Sequence, residues 1–375
     1  MNTTLKLFEA GQSVWYDNIQ RSLLKNGELA GMLQRGEIRC VTSNPTIFMN
    51  AITKSQDYDE SLLPLAASSL TTEEIFFKLA IEDIQAATDL FQPLYQQTNA
   101  ADGYVSLEVS PYLANYTTST LAQVKQLWQR VGRPNLMVKI PATQAGLPAI
   151  AAAIAAGINV NVTLIFSLQR YAEVMDAYMK GLEQRVKDGM SVDSIASVAS
   201  FFVSRVDTKI DPRLQDIITT GSRQAKAAKA LLGKAAIANA RLAYADFKKV
   251  VASERWQKLK KKGARVQRPL WASTSTKNPD YRDVMYVEEL IGPDTVNTVP
   301  PQTLVAFLEH GKVRLSLEED VEGARQTLAD LEALGILMTT VTSELEDQGV
   351  KSFSDAFTVL LEAIDKRRTI SQLGS

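Results

Sequence analysis

The sequence has one cysteine and one histidine among its 375 residues. Cys40 has no partner for an internal disulfide, and it lies in the apolar segment 38–41, where we expect a small buried side chain in a reducing compartment. His310 precedes Gly311, a pattern typical of the end of a helix rather than of a catalytic base. One cysteine and one histidine are too few for a Cys/His metal site, and His310 would be the only candidate base for a Ser/His/Asp triad. Chemistry must therefore rest on lysine, carboxylate and hydroxyl groups.

Long apolar runs are also absent. The longest apolar stretches, such as 149–158, fall short of the roughly 18 residues that a bilayer span needs. The first residues lack the basic and then apolar pattern of a signal peptide. We therefore expect a cytoplasmic protein with no membrane partner.

Neither sign of charge is in excess, since the formal net charge is −1 at pH 7. A near-neutral chain is not typical of a protein whose whole surface binds a polyanion, so we expect no nucleic-acid partner. One basic run surrounds Trp256, at the end of a predicted helix whose last turn favours cations. It comprises Lys258, Lys260, Lys261, Lys262, Arg265 and Arg268. A nucleic-acid contact, recognisable by its weakening in salt, is the alternative for this run.

The sequence does contain a regular alternation of short β-branched runs and amphipathic segments of helical period. Eight runs are predicted strands: 13–17, 38–44, 104–109, 136–140, 160–165, 197–203, 269–273 and 296–299. Helices are predicted between most of them: 19–34, 72–91, 120–130, 147–155, 168–185, 223–251 and 281–290. This alternation indicates parallel strands joined by helical crossovers.

Eight such units fit an α/β fold, the (β/α)8 TIM barrel, which we predict as a single catalytic domain over residues 1–375. The chain exceeds the roughly 250 residues typical of that fold. Inserted helical sequence at 44–71 and before residue 269, together with C-terminal helices in 321–366, accounts for the excess. An open doubly wound sheet is the alternative for this pattern, although a G-x-G-x-x-G loop after the first strand is missing.

Polar side chains cluster where the predicted strands end. In a TIM barrel the carboxyl ends of the strands form the active-site face, so these side chains are expected to converge. The cluster comprises Asp17, Asn44, Glu108, Lys139, Asn161, Thr163, Ser200, Arg205, Ser273 and Lys277. Asp17 and Asn44 could instead cap the helices that follow them, and Pro45 supports such a cap at Asn44.

Lys139 and Glu108 are the most informative residues of this cluster. Each is an ionisable side chain in an apolar strand, where burial is costly unless the group is paired or neutral. One interpretation is an ion pair that closes the barrel. The other is catalytic, because burial favours a neutral amine that can attack a carbonyl carbon and form an imine. With no metal set and no cofactor loop, imine chemistry on Lys139 is what these residues best support.

Four segments on the predicted strands resemble transaldolases of the class I aldolase superfamily. They are 41–47 (VTSNPTI), Lys139 beside Ile140, 158–167 (INVNVTLIFS) and 200–205 (SFFVSR). Segments 15–17 (WYD) and 294–298 (DTVNT) mark the first and eighth strands, so the resemblance extends from residue 13 to about residue 301. The chain length and segment 270–274 (LWAST) are similar to the longer bacterial branch of the family.

The resemblance implies an enzyme of the pentose phosphate pathway without a metal or organic cofactor. A dihydroxyacetone unit would move from sedoheptulose 7-phosphate to glyceraldehyde 3-phosphate, giving erythrose 4-phosphate and fructose 6-phosphate. Lys139 would hold this unit as an imine, and Asp17 would be the general acid and base. The other implied roles are proton relay by Glu108 with Thr163 and a water, contact with the three-carbon unit by Asn44 and Asn161, pocket shaping by Phe202, and phosphate binding by Ser200, Arg205, Ser273 and Lys277.

Departures from the family pattern leave alternatives open. Shorter members have an arginine soon after the serine of the seventh strand, whereas here the nearest cation is Lys277, so Lys209 and Arg213 are alternatives for the second phosphate cation. Ser204 stands where a glycine is usual before the arginine. The rival activity is fructose 6-phosphate aldolase, which uses the same imine but releases dihydroxyacetone. The resemblance associates a glutamine-like residue with that activity, so Glu108 favours transfer. For the oligomeric state, a monomer and a homodimer are the two alternatives.

Overall fold

The apolar runs of the sequence form eight strands in a computed structural model of the protein, which describes residues 2–221 and 223–373. The strands are β1 (Gln12–Tyr16), β2 (Cys40–Val41), β3 (Val105–Glu108), β4 (Leu136–Pro141), β5 (Val160–Ile165), β6 (Ser197–Phe202), β7 (Arg268–Ala272) and β8 (Thr295–Val299). Each strand pairs in parallel with the next, and β8 pairs with β1, so the sheet closes. The predicted (β/α)8 TIM barrel is confirmed.

Helices cover the sides and the ends of the barrel, and those on the sides pack their apolar stripes against the outward side chains of the strands. In chain order they are α1 (Thr3–Glu9), α2 (Arg21–Lys25), α3 (Glu28–Gln34), α4 (Pro45–Thr53), α5 (Asp59–Ala66), α6 (Thr72–Gln97), α7 (Thr117–Val131), α8 (Gly146–Ala155), α9 (Leu168–Lys187), α10 (Ser204–Thr219), α11 (Ala225–Leu231), α12 (Ala235–Ala252), α13 (Glu254–Lys260), α14 (Met285–Glu288), α15 (Pro301–His310), α16 (Val321–Ala333) and α17 (Met338–Leu373). The inserted helices α4 and α5 and the C-terminal helices α16 and α17 lie where extra helical sequence was predicted. Within the described residues, no helix has both the length and the apolar character that a membrane crossing would require.

The region between β6 and β7 differs from the prediction of one helix over 223–251. Two helices, α11 and α12, occupy that range, and they are separated at Gly233, whose positive φ of 69° cannot continue a right-handed helix. Helix α10 was not predicted, although its buried residues Val206, Ile210 and Leu214 follow a helical spacing, with Pro212 inside the helix. The segment predicted as a helix over 281–290 is helical only in α14.

The amino ends of the strands are held together by ion pairs and by hydrogen bonds to loop carbonyls. Asp102, just before β3, pairs with Arg39 and Arg268. Arg265 donates hydrogen bonds to the carbonyls of Asp193 and Asn99. These contacts give the two arginines of the basic run a structural role on the face opposite the carboxyl ends of the strands.

The lone cysteine and the lone histidine have the local environments that the sequence predicts. Cys40 is fully buried in β2, and its Sγ accepts the backbone N–H groups of Gly103 and Tyr104, both at 3.2 Å. His310 is the last residue of α15, and its Nε2 lies 2.9 Å from Asp283 Oδ1.

Gly103 sets the entry of the chain into β3 and provides a test of the fold. It has a φ of 88°, and a Cβ there would lie 2.5 Å from the backbone nitrogen of Tyr95. Gly189 also has a positive φ, 73°, but its Cβ would meet no atom within 4 Å. We expect Gly189→Ala to cost about 1 kcal/mol of stability from backbone strain alone. Gly103→Ala should cost at least about 3 kcal/mol, because strain and a backbone clash add.

Denaturant unfolding of the two variants and the parent chain, followed by circular dichroism, measures this difference. Equal losses of stability in the two variants would contradict the crowding at Gly103.

Candidate active site

A cavity of about 270 Å³ opens at the carboxyl ends of the strands. Nine of the eleven residues predicted for the site line it. The lining comprises Asp17, Thr42, Asn44, Thr46, Ile47, Lys139, Thr163, Ser200, Phe202, Arg205, Ala272, Ser273, Ser275, Lys277, Thr298, Pro300 and Phe353. Glu108 and Asn161 do not line the cavity; they lie just behind its wall, inside the barrel.

Lys139 and Glu108 form a buried ion pair across neighbouring strands. They are register partners on β4 and β3, so their side chains leave the sheet side by side. Lys139 Nζ lies 3.2 Å from Glu108 Oε2, with both side chains at most 6% exposed. Nζ also donates a hydrogen bond of 3.1 Å to the carbonyl of Ser43. The ion pair and the amine facing the cavity are thus both present, so the two interpretations of Lys139 are compatible.

Burial raises the pKa of Glu108 above the ordinary value, and the nearby ammonium of Lys139 only partly offsets this effect. Glu108 Oε2 accepts no aligned hydrogen bond from the described residues. The carboxyl group is therefore held by charge rather than by a fixed donor. Such a group can take up and release a proton at little structural cost.

Asp17 follows β1 directly, and it is the second carboxylate near Lys139. Its backbone N–H bonds to the carbonyl of Val299, which fixes where the side chain leaves the barrel. Thr42 Oγ1 donates to Asp17 Oδ1 at 2.7 Å and contacts Thr298 Oγ1 at 2.6 Å. Burial raises the pKa of Asp17, and the charge of Lys139 is the largest opposing influence. Two carboxyl groups with raised pKa values thus accompany one buried amine.

Asn44 and Asn161, predicted to bind the three-carbon unit, and Thr163, predicted to relay protons, lie at two depths. Thr163 Oγ1 faces the cavity and is buried without a hydrogen-bond partner among the described residues. Asn44 Oδ1 caps α4 by accepting the N–H of Ile47 at 2.9 Å, which leaves its amide nitrogen for the cavity. Asn161 is one layer below Thr163 on β5, because alternate residues of a strand stack along the barrel axis.

Asn161 has its hydrogen bonds inside the protein. Its amide donates to Ser106 Oγ at 3.1 Å, and its Oδ1 accepts from Ser200 Oγ at 2.7 Å. This places Asn161 and Ser200 in one polar layer that supports the floor of the cavity.

Two cations lie at the other end of the cavity. The Arg205 guanidinium stacks on Phe202, with Cζ 5.2 Å from the ring centroid. No carboxylate lies within ion-pair distance of it among the residues the structure describes. Burial lowers the pKa of Arg205, and burial together with the charge of Arg205 lowers the pKa of Lys277. Attraction to Asp17 only partly offsets these shifts. Two neighbouring cations with no carboxylate at ion-pair distance among the described residues are suited to binding an anionic group.

The loop after β7 brings a hydroxyl group to these cations. Ser273 has a positive φ of 56°, an uncommon conformation for a residue other than glycine. Its Oγ lies 3.1 Å from Ser204 Oγ, and its carbonyl accepts the N–H of Ser204 at 3.0 Å. Ser204, which stands where a glycine is usual, thereby joins the start of α10 to this loop.

The three candidates for the second phosphate cation differ in their ion-pair and hydrogen-bond partners. Lys209 and Arg213 both pair with Glu344 of α17, at 2.9 Å and 2.7 Å, and neither lines the cavity. Lys277 lines the cavity and donates to Ser275. The geometry therefore favours Lys277.

Eight residues that line the cavity were not among the predicted site residues, and they include Thr42, Thr298, Ser275 and Phe353. The three hydroxyl residues belong to polar strand ends, a signal that was available. Phe353 comes from α17, far along the chain, and no local pattern points to it. Within the described residues, no group of three or more His, Cys, Asp or Glu side chains is arranged to hold a metal ion.

Comparison with known proteins agrees with this geometry. The sequence model of the family described as "Transaldolase/Fructose-6-phosphate aldolase" matches residues 14–364. The chain is 48% identical to a transaldolase of Thermobifida fusca, over 96% of each chain. It is 44% identical to transaldolase 2 of a Nostoc species, over 97% of each chain, and 47% identical to a transaldolase of Mycolicibacterium smegmatis, over 95% of each chain. The chain therefore belongs to the transaldolase/fructose-6-phosphate aldolase family.

Proposed function

We propose that the protein is a transaldolase that acts through an imine on Lys139, in the cytoplasm and within the pentose phosphate pathway. It would transfer a dihydroxyacetone unit from sedoheptulose 7-phosphate to glyceraldehyde 3-phosphate, giving erythrose 4-phosphate and fructose 6-phosphate. The observation that carries the proposal is a buried amine that faces a cavity, with a carboxylate 3.2 Å behind it. The name shared by its relatives supports the same activity.

The first step is attack of the Lys139 amine on the ketose carbonyl. The carbonyl oxygen must leave as water, so protons have to move from the amine to that oxygen. Glu108 lies beside Nζ, and Thr163 Oγ1 is buried with no hydrogen-bond partner in the described part of the chain, so both can exchange protons through a bound water. These two residues relay protons as the imine forms and again as it is hydrolysed.

The second step breaks the carbon–carbon bond next to the imine carbon. Asp17 takes the proton of the hydroxyl group on the leaving carbon, and the bonding electrons flow into the iminium, giving an enamine and an aldehyde. The raised pKa of Asp17 makes it a stronger base than an exposed aspartate. In the reverse sense, the enamine attacks an acceptor aldehyde and Asp17 returns the proton. Protein groups alone supply the chemistry of this scheme.

The cationic end of the cavity positions the substrate. Arg205, Lys277 and Ser273 supply charge and hydrogen-bond donors for a phosphate at the far end of an extended sugar chain. Phosphate binding there would leave the other end of the sugar to reach Lys139. Because both ketoses and both aldoses in the reaction carry a terminal phosphate, one anion site serves all four.

The second candidate function is cleavage of fructose 6-phosphate with release of dihydroxyacetone, and the family's description names both activities. The buried carboxylate at Glu108 favours transfer over release, as the resemblance implies. The two functions share every step up to the enamine. They differ only in whether an aldehyde or a proton captures it.

Borohydride reduction tests the imine. Incubation with fructose 6-phosphate and sodium borohydride should fix a reduced dihydroxyacetone adduct on Lys139, detectable by peptide mass mapping. Lys139→Ala should abolish the adduct and lower the rate roughly 10³-fold or more, because only binding and polar groups remain. Lys209→Ala, an ion-paired lysine outside the cavity, is the control and should be trapped normally. An adduct on any other lysine would refute the assignment.

Dependence on an acceptor separates transfer from cleavage. Adding erythrose 4-phosphate should raise the rate of fructose 6-phosphate consumption by at least about tenfold. Without an acceptor, slow protonation is the only step that consumes the enamine. Product analysis by mass spectrometry should show sedoheptulose 7-phosphate. Equal rates of consumption with and without acceptor would instead support the aldolase.

Removing the charge of Arg205 tests the phosphate site. Arg205→Met keeps the length of the side chain but removes its charge, and it should raise KM for fructose 6-phosphate roughly 10- to 100-fold, the equivalent of one charged hydrogen-bond pair. Activity on unphosphorylated fructose should change little. Arg213→Met, whose arginine pairs with Glu344, is the matched control. Similar losses on both substrates would mean that Arg205 is structural.

A further inference from the structure

Helix α17 lies across the carboxyl ends of the strands rather than on the outside of the barrel. It packs against α4, α5, α6, α10 and the end of β5. A Cβ on Gly349 would lie 3.0 Å from Leu164 Cδ2, so the absence of a side chain lets the helix approach β5 closely. Gly349, Phe353 and Phe357 are spaced by four residues and therefore share one face of the helix. That face points into the barrel mouth.

Contacts on both sides of Phe353 fix this helix in place. Phe357 packs edge-on against Phe76 and Tyr112, with ring centroids 5.2 Å apart in each pair. Glu344, nearer the start of α17, pairs with Lys209 and Arg213 on α10. Ion pairs and ring contacts from different elements thus hold the helix in one register over the cavity.

Phe353 lies on this face of the helix, close to the reacting amine. Its side chain is 4% exposed and lines the cavity. The Lys139 Nζ lies 5.8 Å from its ring centroid. A phenyl ring has no group that can relay a proton or donate to a hydroxyl group. What it can do here is occupy the space beside the nitrogen and keep water out of it.

We propose that Phe353 is a specificity-determining residue that shields the three-carbon unit on Lys139 from water and so directs that unit to an acceptor aldehyde. This inference rests on the proposed function, because it concerns the fate of the enamine formed there. The proposal assigns a role to a residue of the C-terminal helix α17, in addition to the roles of the residues at the strand ends.

The two fates of the enamine differ in what captures its carbon. In transfer, the enamine carbon forms a bond to the aldehyde carbon, the aldehyde oxygen takes a proton from Asp17, and the iminium re-forms. In release, the same carbon takes a proton from a donor such as water, the iminium adds one water molecule, and hydrolysis returns the amine of Lys139 and free dihydroxyacetone. Both routes start from one intermediate, so the ratio of their products reports water access rather than total activity.

Truncation of the ring tests the proposal. Phe353→Ala should raise the ratio of free dihydroxyacetone to transfer product roughly tenfold when fructose 6-phosphate and erythrose 4-phosphate are both present, because water enters the vacated space. Phe353→Leu, which keeps part of the apolar volume, should give a smaller rise, about twofold. Val359→Ala, on the exposed side of the same helix, is the control and should leave the ratio unchanged.

The readouts separate this inference from the proposed function. Borohydride trapping on Lys139 should persist in all three variants, because the amine and its carboxylates are intact. Absence of trapping in the parent chain would defeat the proposed function itself. Trapping with an unchanged product ratio in folded Phe353→Ala, or in Phe353→Leu if the alanine variant does not fold, would overturn the role of Phe353 alone. An equal rise in Val359→Ala would also overturn it.

Discussion

The arrangement of the site depends on one interaction, the buried pair of Lys139 and Glu108. Removing two charges from water costs several kcal/mol per ion, and a well-packed apolar pair of similar volume is often as stable or more so. The pair is therefore poorly explained as a device for stability. It becomes understandable when the amine has to face a cavity, because the neighbouring carboxylate then compensates the charge whenever the lysine is protonated. The strand register that places the two side chains together is set by the barrel itself.

Around this pair the cavity carries groups of two chemical kinds. Asp17 with its threonine partner supplies the acidic group, and Arg205 and Lys277 supply positive charge that attracts Asp17 without an ion-pair contact to a carboxylate among the described residues. A parallel barrel brings both kinds of group to one face because the carboxyl ends of all its strands lie there. The opposite face carries the paired arginines, whose donors hold loop carbonyls and the carboxylate of Asp102. Chemistry and structural support are thus divided between the two ends of the same eight strands.

The barrel could be predicted from the sequence because the residue patterns of its strands and helices are local. Alternating strands and helices follow from side-chain patterns that repeat within ten to twenty residues, and a closed sheet of eight is a small extension of that pattern. Predictions were less accurate between β6 and β7, where Pro212 lies inside α10 and Gly233 divides α11 from α12. A proline and a glycine interrupt the local signals there, although the buried apolar residues of α10 keep a helical spacing that was available in the sequence.

The sequence by itself determined which chemistry was available: a lysine and a glutamate in apolar strands, polar residues at strand ends, and too few cysteines and histidines for other catalytic sets. Those conclusions depend on residue type and on nearest neighbours along the chain. Only the tertiary structure decided that Asn161 lies below the cavity floor, that Lys277 rather than Lys209 faces the cavity, and that Phe353 lines the cavity near the amine. Each of these depends on contacts between segments far apart in sequence, and such contacts are set by how helices pack on the barrel, which local pattern does not encode.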